Sequence, residues 1–314
     1  MRLALVTEGM IHRSLDDLMD WLDGHVPEIR DLEIGTGGYS PLGHSPLGLS
    51  SAACRTWHDR LMARGFSIAA FNVSGNPLHP DPSIADRHDR DLRQTIQLAA
   101  DLGVERIVAM SGCPAAGPGP SAAPHFPANA WLPDYAGVAA WQFDARVRPY
   151  WEEIHGLAAG ASARLRICLE LHPGAHVFNV ESYLRLSAVA PGIAVNLDPS
   201  HLFWQRMDPL VVIERLGGCI GYAHAKDVRY DEAELALNGL LDSRWPGDPE
   251  HTPWDFAAVG HGVHDPAWWG SFASALAAVT SAPFMSVEHE DRLVAPEAGI
   301  ARSAAVLTPA LAGA

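Results

Sequence analysis

The regular alternation of short aliphatic runs with helix-like segments is the sequence feature that most restricts how this chain can fold. About eight times, a run typical of a buried strand precedes a segment whose apolar residues have helical spacing. The predicted strands cover residues 3–7, 31–36, 67–73, 106–110, 164–171, 193–198, 220–224 and 284–288. The predicted helices cover residues 14–22, 52–65, 86–102, 141–159, 181–190, 209–216, 268–279 and 296–307. This alternation is typical of an α/β chain whose parallel strands close into a (β/α)8 barrel, and we expect residues 1–314 to form one domain of this kind.

An open, doubly wound sheet is the main alternative for such an alternation. That fold usually carries a glycine-rich, nucleotide-binding turn after its first strand. Neither GxGxxG nor GxxxxGK[ST] occurs there in this chain. The sequence therefore favours the closed barrel.

Two connections are too long to be ordinary barrel loops. Residues 111–133, after the fourth strand, contain six prolines, and residues 231–265 follow the seventh strand. We interpret the first as a lid over the active site, with a disordered surface insert as the alternative.

Composition restricts the partners and the compartment. The formal net charge of −15 argues against nucleic acid or an anionic membrane as the main partner. Cysteines are few and widely spaced, without a CxxC pair, which favours reduced thiols in a cytoplasm over a zinc finger or a disulfide scaffold. The amino terminus lacks the apolar core of a signal peptide, and no run is long enough to span a bilayer.

Four of the predicted strands end in residues that bind metals. Because catalytic residues of such barrels lie at the carboxyl ends of the strands, these side chains are expected at one side of one mouth. They are Glu170, Asp198, His224 and Glu288. Three carboxylates and one imidazole make an oxygen-rich site that suits Mn²⁺ or Mg²⁺, with Co²⁺, Fe²⁺ or Zn²⁺ able to substitute. A divalent ion would also relieve the repulsion among the carboxylates.

Several nearby residues are candidates for contact with a substrate. Strand alternation puts His172 on the face of Glu170, and Lys226 on the face of His224. Lys226 could support an oxyanion or pair with a carboxylate, and the sequence leaves both roles open. His79, after the third strand, and His261, within Gly-His-Gly, are further candidates, although loop histidines are more often structural. Three tryptophans are candidates for the wall of a sugar pocket, with packing of helices as the alternative: Trp131, Trp204 and Trp245.

Four motifs resemble those of the xylose isomerase-like TIM barrel superfamily, in the branch of sugar phosphate isomerases and epimerases, and the resemblance covers essentially the whole chain. They are Glu170-Leu-His-Pro, Asn196-Leu-Asp-Pro-Ser-His201, His224-Ala-Lys-Asp227 and Ser286-Val-Glu-His-Glu-Asp291. In ketose 3-epimerases of this superfamily, the matching residues hold one Mn²⁺, and the two glutamates exchange the substrate proton. The resemblance thus implies an isomerase or epimerase that forms a metal-stabilised enediolate, with Mn²⁺ preferred and with His201 contacting substrate oxygens.

Three alternatives stay open. Ala225-Lys226-Asp227 and the long insertions look more like the α subunits of C-glycoside deglycosidases, which are lyases that act on 3-keto-glycosides. A nuclease of the endonuclease IV type would need more metal-binding histidines and a basic face, which the net charge disfavours. A non-catalytic partner subunit is disfavoured by the intact ligand set. The expected partner is a small sugar or keto-glycoside, in a homo-oligomer or in a hetero-oligomer with a small subunit.

Overall fold

Eight parallel strands close into a barrel, as the sequence predicts. The structure is a computed structural model and describes residues 1–128, 132–244, 251–280 and 284–314. The order of strands around the barrel is β1-β10-β7-β6-β5-β4-β3-β2, and β8 and β9 form a separate sheet. The strands are Arg2–Val6 (β1), Asp31–Gly35 (β2), Ser67–Asn72 (β3), Arg106–Ala109 (β4), Arg166–Glu170 (β5), Ala194–Leu197 (β6), Ile220–Ala225 (β7), Asp227–Tyr230 (β8), Trp254–Ala257 (β9) and Phe284–Val287 (β10).

Helices follow the barrel strands. They are Leu15–His25 (α1), Ser51–Ala63 (α2), Pro82–Leu102 (α3), Val138–Gln142 (α4), Arg148–Ala161 (α5), Val180–Ser187 (α6), Ser200–Phe203 (α7), Pro209–Leu216 (α8), Glu232–Asn238 (α9), Pro266–Val279 (α10) and Pro296–Ala312 (α11). The predicted cap of the first helix is confirmed, because the Ser14 side chain accepts a hydrogen bond from the backbone N–H of Asp17. The predicted stop after residue 102 is also confirmed, since Gly103 adopts a φ of 71°.

The chain divides into two compact units, residues 1–33 with 197–314, and residues 34–196. The prediction of a single domain over residues 1–314 stays a prediction. In the first unit, β10 pairs with both β1 and β7, and Ser286 is in register with Ala4 on one side and with His224 on the other. This register brings the carboxyl ends of β7 and β10 to the same level.

The long connection after β7 is more regular than the sequence suggests. It contains α9 and β9, and β9 pairs antiparallel with β8, with Val228 opposite Phe256. Buried ion pairs then hold this small sheet to the segment that follows β10. Asp291 contacts the Arg229 guanidinium and accepts a hydrogen bond from the N–H of Ala258, and Arg292 Nε lies 3.0 Å from Asp255 Oδ2.

These contacts fix the charge of Asp291. Burial acts to raise the pKa of the Asp291 carboxyl, but the hydrogen bonds from Arg229, Ala258 and Leu293 outweigh it and lower this pKa below its ordinary value. The carboxylate is therefore a stable anchor for the sheet.

Among the helix boundaries that differ from the prediction, two involve a proline. The last helix was expected to stop before Pro309 but continues to Ala312, because the proline lies in the final turn, where only one backbone hydrogen bond is lost, and Leu311 is buried. The helix predicted over residues 141–159 starts at Val138 and contains a π-helical turn, Phe143–Val147, immediately before Pro149. A proline nitrogen has no hydrogen to donate to the preceding turn, which accounts for this local widening.

In the second unit, the chain after β4 begins as a buried segment. Residues 111–115 are buried and residues 116–124 are largely exposed. Trp151 Nε1 donates a hydrogen bond to the Ser111 carbonyl, and the backbone N–H of His176 donates to the Gly112 carbonyl. The base of the predicted lid is therefore held in place, and its role as a lid stays a prediction.

None of the described helices is both long and apolar enough to cross a membrane. The four cysteines are free thiols, three of them buried.

The buried imidazole of His176 predicts how stability depends on pH. Its side chain lies against Gln142 and Phe143, is 4% exposed, and has a pKa lowered to about 4, mainly by burial and then by the charge of Arg185. Between pH 6.5 and about 4 the unfolded chain takes up a proton here and the native chain does not, so stability falls as the pH falls. Across this pH range, His176 lowers the free energy of unfolding by about 3 kcal/mol.

We expect His176→Gln to flatten the pH dependence of the unfolding free energy by that order, measured by urea denaturation at several pH values. His58→Gln, at a half-exposed position of α2, should keep the wild-type slope. Equal slopes for all three proteins would contradict the assignment.

Candidate metal centre

Three of the predicted metal ligands converge within the first unit. His224 lies in β7, Glu288 directly follows β10, and Asp198 directly follows β6. His224 Nδ1 is 3.2 Å from Glu288 Oε2, and both His224 and Asp198 are fully buried. The backbone N–H of Ser200 donates to Asp198 Oδ1, which fixes the plane of this carboxylate. The carboxyl ends of three strands thus place two carboxylates and one imidazole together.

Lys226 supplies a positive charge to this cluster. Its ammonium lies 2.7 Å from Glu288 Oε2, 2.5 Å from Glu290 Oε2 and 3.2 Å from Asp198 Oδ2. The side chain is 2% exposed and passes over the ring of Phe256, with Nζ 4.5 Å from the ring centroid. Of the two roles left open by the sequence, the structure shows the pairing with carboxylates.

Glu33 is a member of the cluster that the sequence analysis missed. Both of its carboxylate oxygens lie 3.1 Å from His224 Nε2, and both side chains are fully buried. A neutral imidazole that donates from Nε2 to Glu33 presents the lone pair of Nδ1 on the side of Glu288. The available signal was a charged residue in the middle of β2, a strand that is buried throughout.

His201 lies beside Asp198 in the short helix α7. Its Nε2 atom is 3.5 Å from Asp198 Oδ2, and its ring packs edge-on against Phe256 with 5.3 Å between centroids. The helical turn Ser200–Phe203, which begins just after Asp198, therefore brings the buried His201 side chain next to a candidate ligand.

Glu170 occupies the end of β5 in the second unit. It is 5% exposed, and its Oε2 atom accepts a hydrogen bond of 2.9 Å from Asn196 Nδ2, the residue in register with it on β6. Asn196 precedes Asp198 by two residues in the chain. His172 is half-buried, its backbone N–H donates to the Glu170 carbonyl, and its Nδ1 atom is 2.5 Å from the Pro173 carbonyl oxygen.

The histidines predicted in loops have structural surroundings. His79 Nδ1 accepts the backbone N–H of Asp81, so this side chain stabilises the turn before α3. His261 is exposed in the turn after β9. The flanking glycines are explained by packing, since Gly260 adopts a φ of 87° and a Cβ at Gly262 would lie 2.3 Å from Asp227 Cγ. Contact of either histidine with a substrate stays a prediction.

The tryptophans predicted to wall a pocket are only partly described. Trp204 stacks on Trp254 with 4.9 Å between ring centroids and 11° between planes, which supports the packing alternative. Trp131 and Trp245 lie outside the described residues.

The donor set of the first unit fits a divalent ion. Asp198 Oδ2 is buried and accepts no hydrogen bond from the described residues, and its near neighbours are the nitrogens of Lys226 and His201. The Lys226 ammonium is shared among Asp198, Glu288 and Glu290, so a further cation would balance the negative charge at this buried oxygen. Carboxylate oxygens with one imidazole nitrogen are ligands that Mn²⁺, Mg²⁺ and Zn²⁺ accept.

Comparison with known proteins gives both a close relative and similar folds. The protein YfiH of Bacillus subtilis (strain 168), described as uncharacterized, is 34% identical over 313 residues, which cover 98% of each chain. The solved structure described as the probable 3-DHS dehydratase AsbF of Bacillus anthracis has a TM-score of 0.65 at 16% identity and covers 98% of this chain and 99% of its own.

Two further solved structures have the same fold. The IOLI protein with a bound zinc atom has a TM-score of 0.66 at 15% identity, with 99% of this chain and 98% of its own covered. An L-ribulose 3-epimerase has a TM-score of 0.61 at 15% identity, with 99% of this chain and 94% of its own covered. Residues 32–310 match the family described as xylose isomerase-like TIM barrel. The chain belongs to the xylose isomerase-like TIM barrel family.

Proposed function

We propose that this protein is a divalent-metal-dependent sugar isomerase or epimerase that removes a proton from the carbon next to a carbonyl group. The observation that carries the proposal is the cluster of the buried Asp198 and His224 with the partly buried Glu288, in which the Lys226 ammonium contacts both carboxylates. Such a cluster is costly for folding alone, because buried like charges repel and each loses its hydration. A cluster of this kind is typical of a catalytic site.

We propose Glu170 as the fourth ligand, alongside Asp198, His224 and Glu288. All four are residue types that bind hard divalent ions, and Glu170, Asp198 and His224 each offer one such ligand atom. We take Mn²⁺ as the preferred ion, with Mg²⁺, Co²⁺, Fe²⁺ or Zn²⁺ able to substitute. The zinc atom of the IOLI protein supports binding of a divalent ion in this fold.

The chemistry needs a base, an acid and compensation for charge on oxygen. A bound divalent ion would supply positive charge beside the substrate oxygen on which negative charge develops. Glu170 and Glu288 come from different strands, so one can remove the proton from one face of the substrate and the other can return a proton to the opposite face. Return of the proton from the enediolate to the same carbon inverts that carbon. Its return to the former carbonyl carbon, with transfer of the hydroxyl proton to the former carbonyl oxygen, moves the carbonyl to the neighbouring carbon.

His201 and Lys226 assist in this proposal without transferring the carbon-bound proton. Lys226 Nζ, at 2.7 Å from Glu288 Oε2, holds this carboxylate in a fixed orientation. His201 is held edge-on by Phe256 and lies beside Asp198, where its imidazole can hydrogen-bond to a sugar hydroxyl. The partner is then a small sugar, and His172 stays a candidate for contact with it.

The test is incorporation of solvent deuterium by the metal-loaded protein. In D₂O, a ketose substrate should acquire deuterium at the carbon next to its carbonyl, as measured by mass spectrometry and NMR. 3-Keto-glycosides are tested in parallel, and release of an aglycone would assign the protein to the lyases instead. Failure of every compound in the panel to exchange, with metal bound, would refute the proposed reaction.

Metal content distinguishes ligands from assisting residues. We expect Asp198→Asn and Glu288→Gln to lower the affinity for Mn²⁺ by at least about tenfold, because each removes an anionic ligand. His201→Asn should retain its metal and lose turnover. The measurements are elemental analysis and titration with Mn²⁺, and loss of metal from His201→Asn with Asp198 intact would make His201 a ligand.

Glu33→Gln tests the support of His224. The amide oxygen of glutamine accepts from His224 Nε2 more weakly than the carboxylate and carries no charge, so the imidazole is less firmly oriented and less basic, and we expect the affinity for Mn²⁺ to fall about 10- to 100-fold. Glu28→Gln, at an exposed position just before β2, is the matched control and should bind as the wild type does. Unchanged affinity in Glu33→Gln would show that this pair has no influence on the metal.

A further inference from the structure

A second cavity of the first unit contains no residue of the candidate metal centre. Its volume is about 570 Å³, and its lining comes from residues 203–210, after β6, and from residues 230–240 and 263–268, after β7. Both segments follow the carboxyl ends of barrel strands, where barrels of this type place their ligands. The size is sufficient for a small organic molecule.

The walls of this cavity are apolar and held rigidly. The rings of Phe203 and His264 are stacked with 3.8 Å between centroids, and Trp268 packs edge-on against Phe203 at 5.0 Å. His264 is fixed in turn, because its Nδ1 atom lies 2.7 Å from Asp227 Oδ1. Most of the remaining lining is aliphatic, from residues such as Met207 and Val263. Walls of this composition bind the apolar body of a ligand, since they offer few partners for hydroxyl groups.

Arg206 provides the polar end of the cavity. Among the described residues, no hydrogen bond or ion pair holds its guanidinium. Burial raises the pKa of the Tyr230 phenol, which also lines the cavity, and the positive charge of Arg206 opposes this rise. Its backbone has a φ of 61°, the left-handed region, which costs about 1 kcal/mol for a residue other than glycine. Arg206 is exposed at a backbone position that favours glycine, and its guanidinium meets no acceptor among the described residues, so it is available to a ligand that enters the cavity.

The acids around the cavity restrict the charge of that ligand. Asp208 already accepts the N–H of Leu210 as the cap of α8, and Glu232 is exposed in the first turn of α9. Counting the lining residues that the structure describes, the rim carries one unpaired guanidinium and two carboxylates, so the cavity can accept one negative charge but disfavours a dianion such as a phosphate ester.

We propose that this cavity binds a small organic monocarboxylate with an apolar ring. The ring lies among Phe203, Met207 and Trp268. The carboxylate is bound by the guanidinium of Arg206, whose two parallel N–H donors match the two oxygens of a carboxylate. The proposal does not depend on the reaction proposed above, because none of these residues belongs to the metal centre.

Benzoate is the probe, and calorimetric titration of the metal-loaded full chain is the measurement. Benzoate should bind, and benzyl alcohol, which has the same ring without the charge, should bind at least about tenfold more weakly. Methyl glucoside tests the neutral sugar class in the same way. Equal or tighter binding of benzyl alcohol or of methyl glucoside would overturn the proposal.

Two substitutions at one position separate binding from folding. Arg206→Gln should weaken benzoate binding about tenfold, and Arg206→Gly should do the same while raising the melting temperature, because glycine relieves the strained backbone. Arg215→Gln, at an exposed position of α8, is the matched control and should bind as the wild type does. If benzoate binding persists in both Arg206 variants and disappears on removal of the metal, benzoate binds at the metal centre and the proposal is wrong.

Discussion

The compensation of buried negative charge is the constraint on which the rest of this structure depends. The buried Asp198, the partly buried Glu288 and the exposed Glu290 face a single ammonium, that of Lys226, and the buried Glu33 faces the imidazole of His224. Carboxylates removed from water lose several kcal/mol each unless a cation and hydrogen bonds replace the solvent. The carboxylates are therefore stable in the interior only together with the Lys226 ammonium and the His224 imidazole. The strands that carry these side chains must then end at the same level.

The small sheet β8–β9 supports this set from the side. It carries Phe256, whose ring contacts both Lys226 and His201, and it is held through Arg229, Asp255 and the loop after β10. The buried cluster of Phe203, Val228, Trp254 and Phe256 continues from this point through the sheet. The insertion after β7 is thus part of the scaffold of the site, and its length reflects the need to shield a charged cluster with aromatic rings.

Much of the fold and part of the site could be predicted because local patterns encode them. Buried strands with polar ends, caps such as Ser14 and stops such as Gly103 depend on residues adjacent in sequence, and each was recognised. Glu33 was missed because its partner His224 is 191 positions away and because a single charged residue within β2 does not by itself indicate a site. The antiparallel pairing of β8 with β9 was missed for the same reason, since a long insertion separates the two strands. The continuation of α11 past Pro309 depends on the burial of Leu311, a tertiary contact that overrides the local preference.

The turn from Asp198 to Phe203 contributes to both the metal centre and the second cavity, which otherwise consist of separate residues. Asp198 and His201 belong to the metal centre, whereas Phe203, in the same single turn of helix, forms a wall of the second cavity. A one-residue insertion in this turn would rotate the following side chains by about 100° and displace both sets together. Changes in the outer part of the loop after β7 would leave the turn intact. Variation among descendants of this scaffold is therefore expected to accumulate in that loop, and the length of the segment after β6 to stay constant.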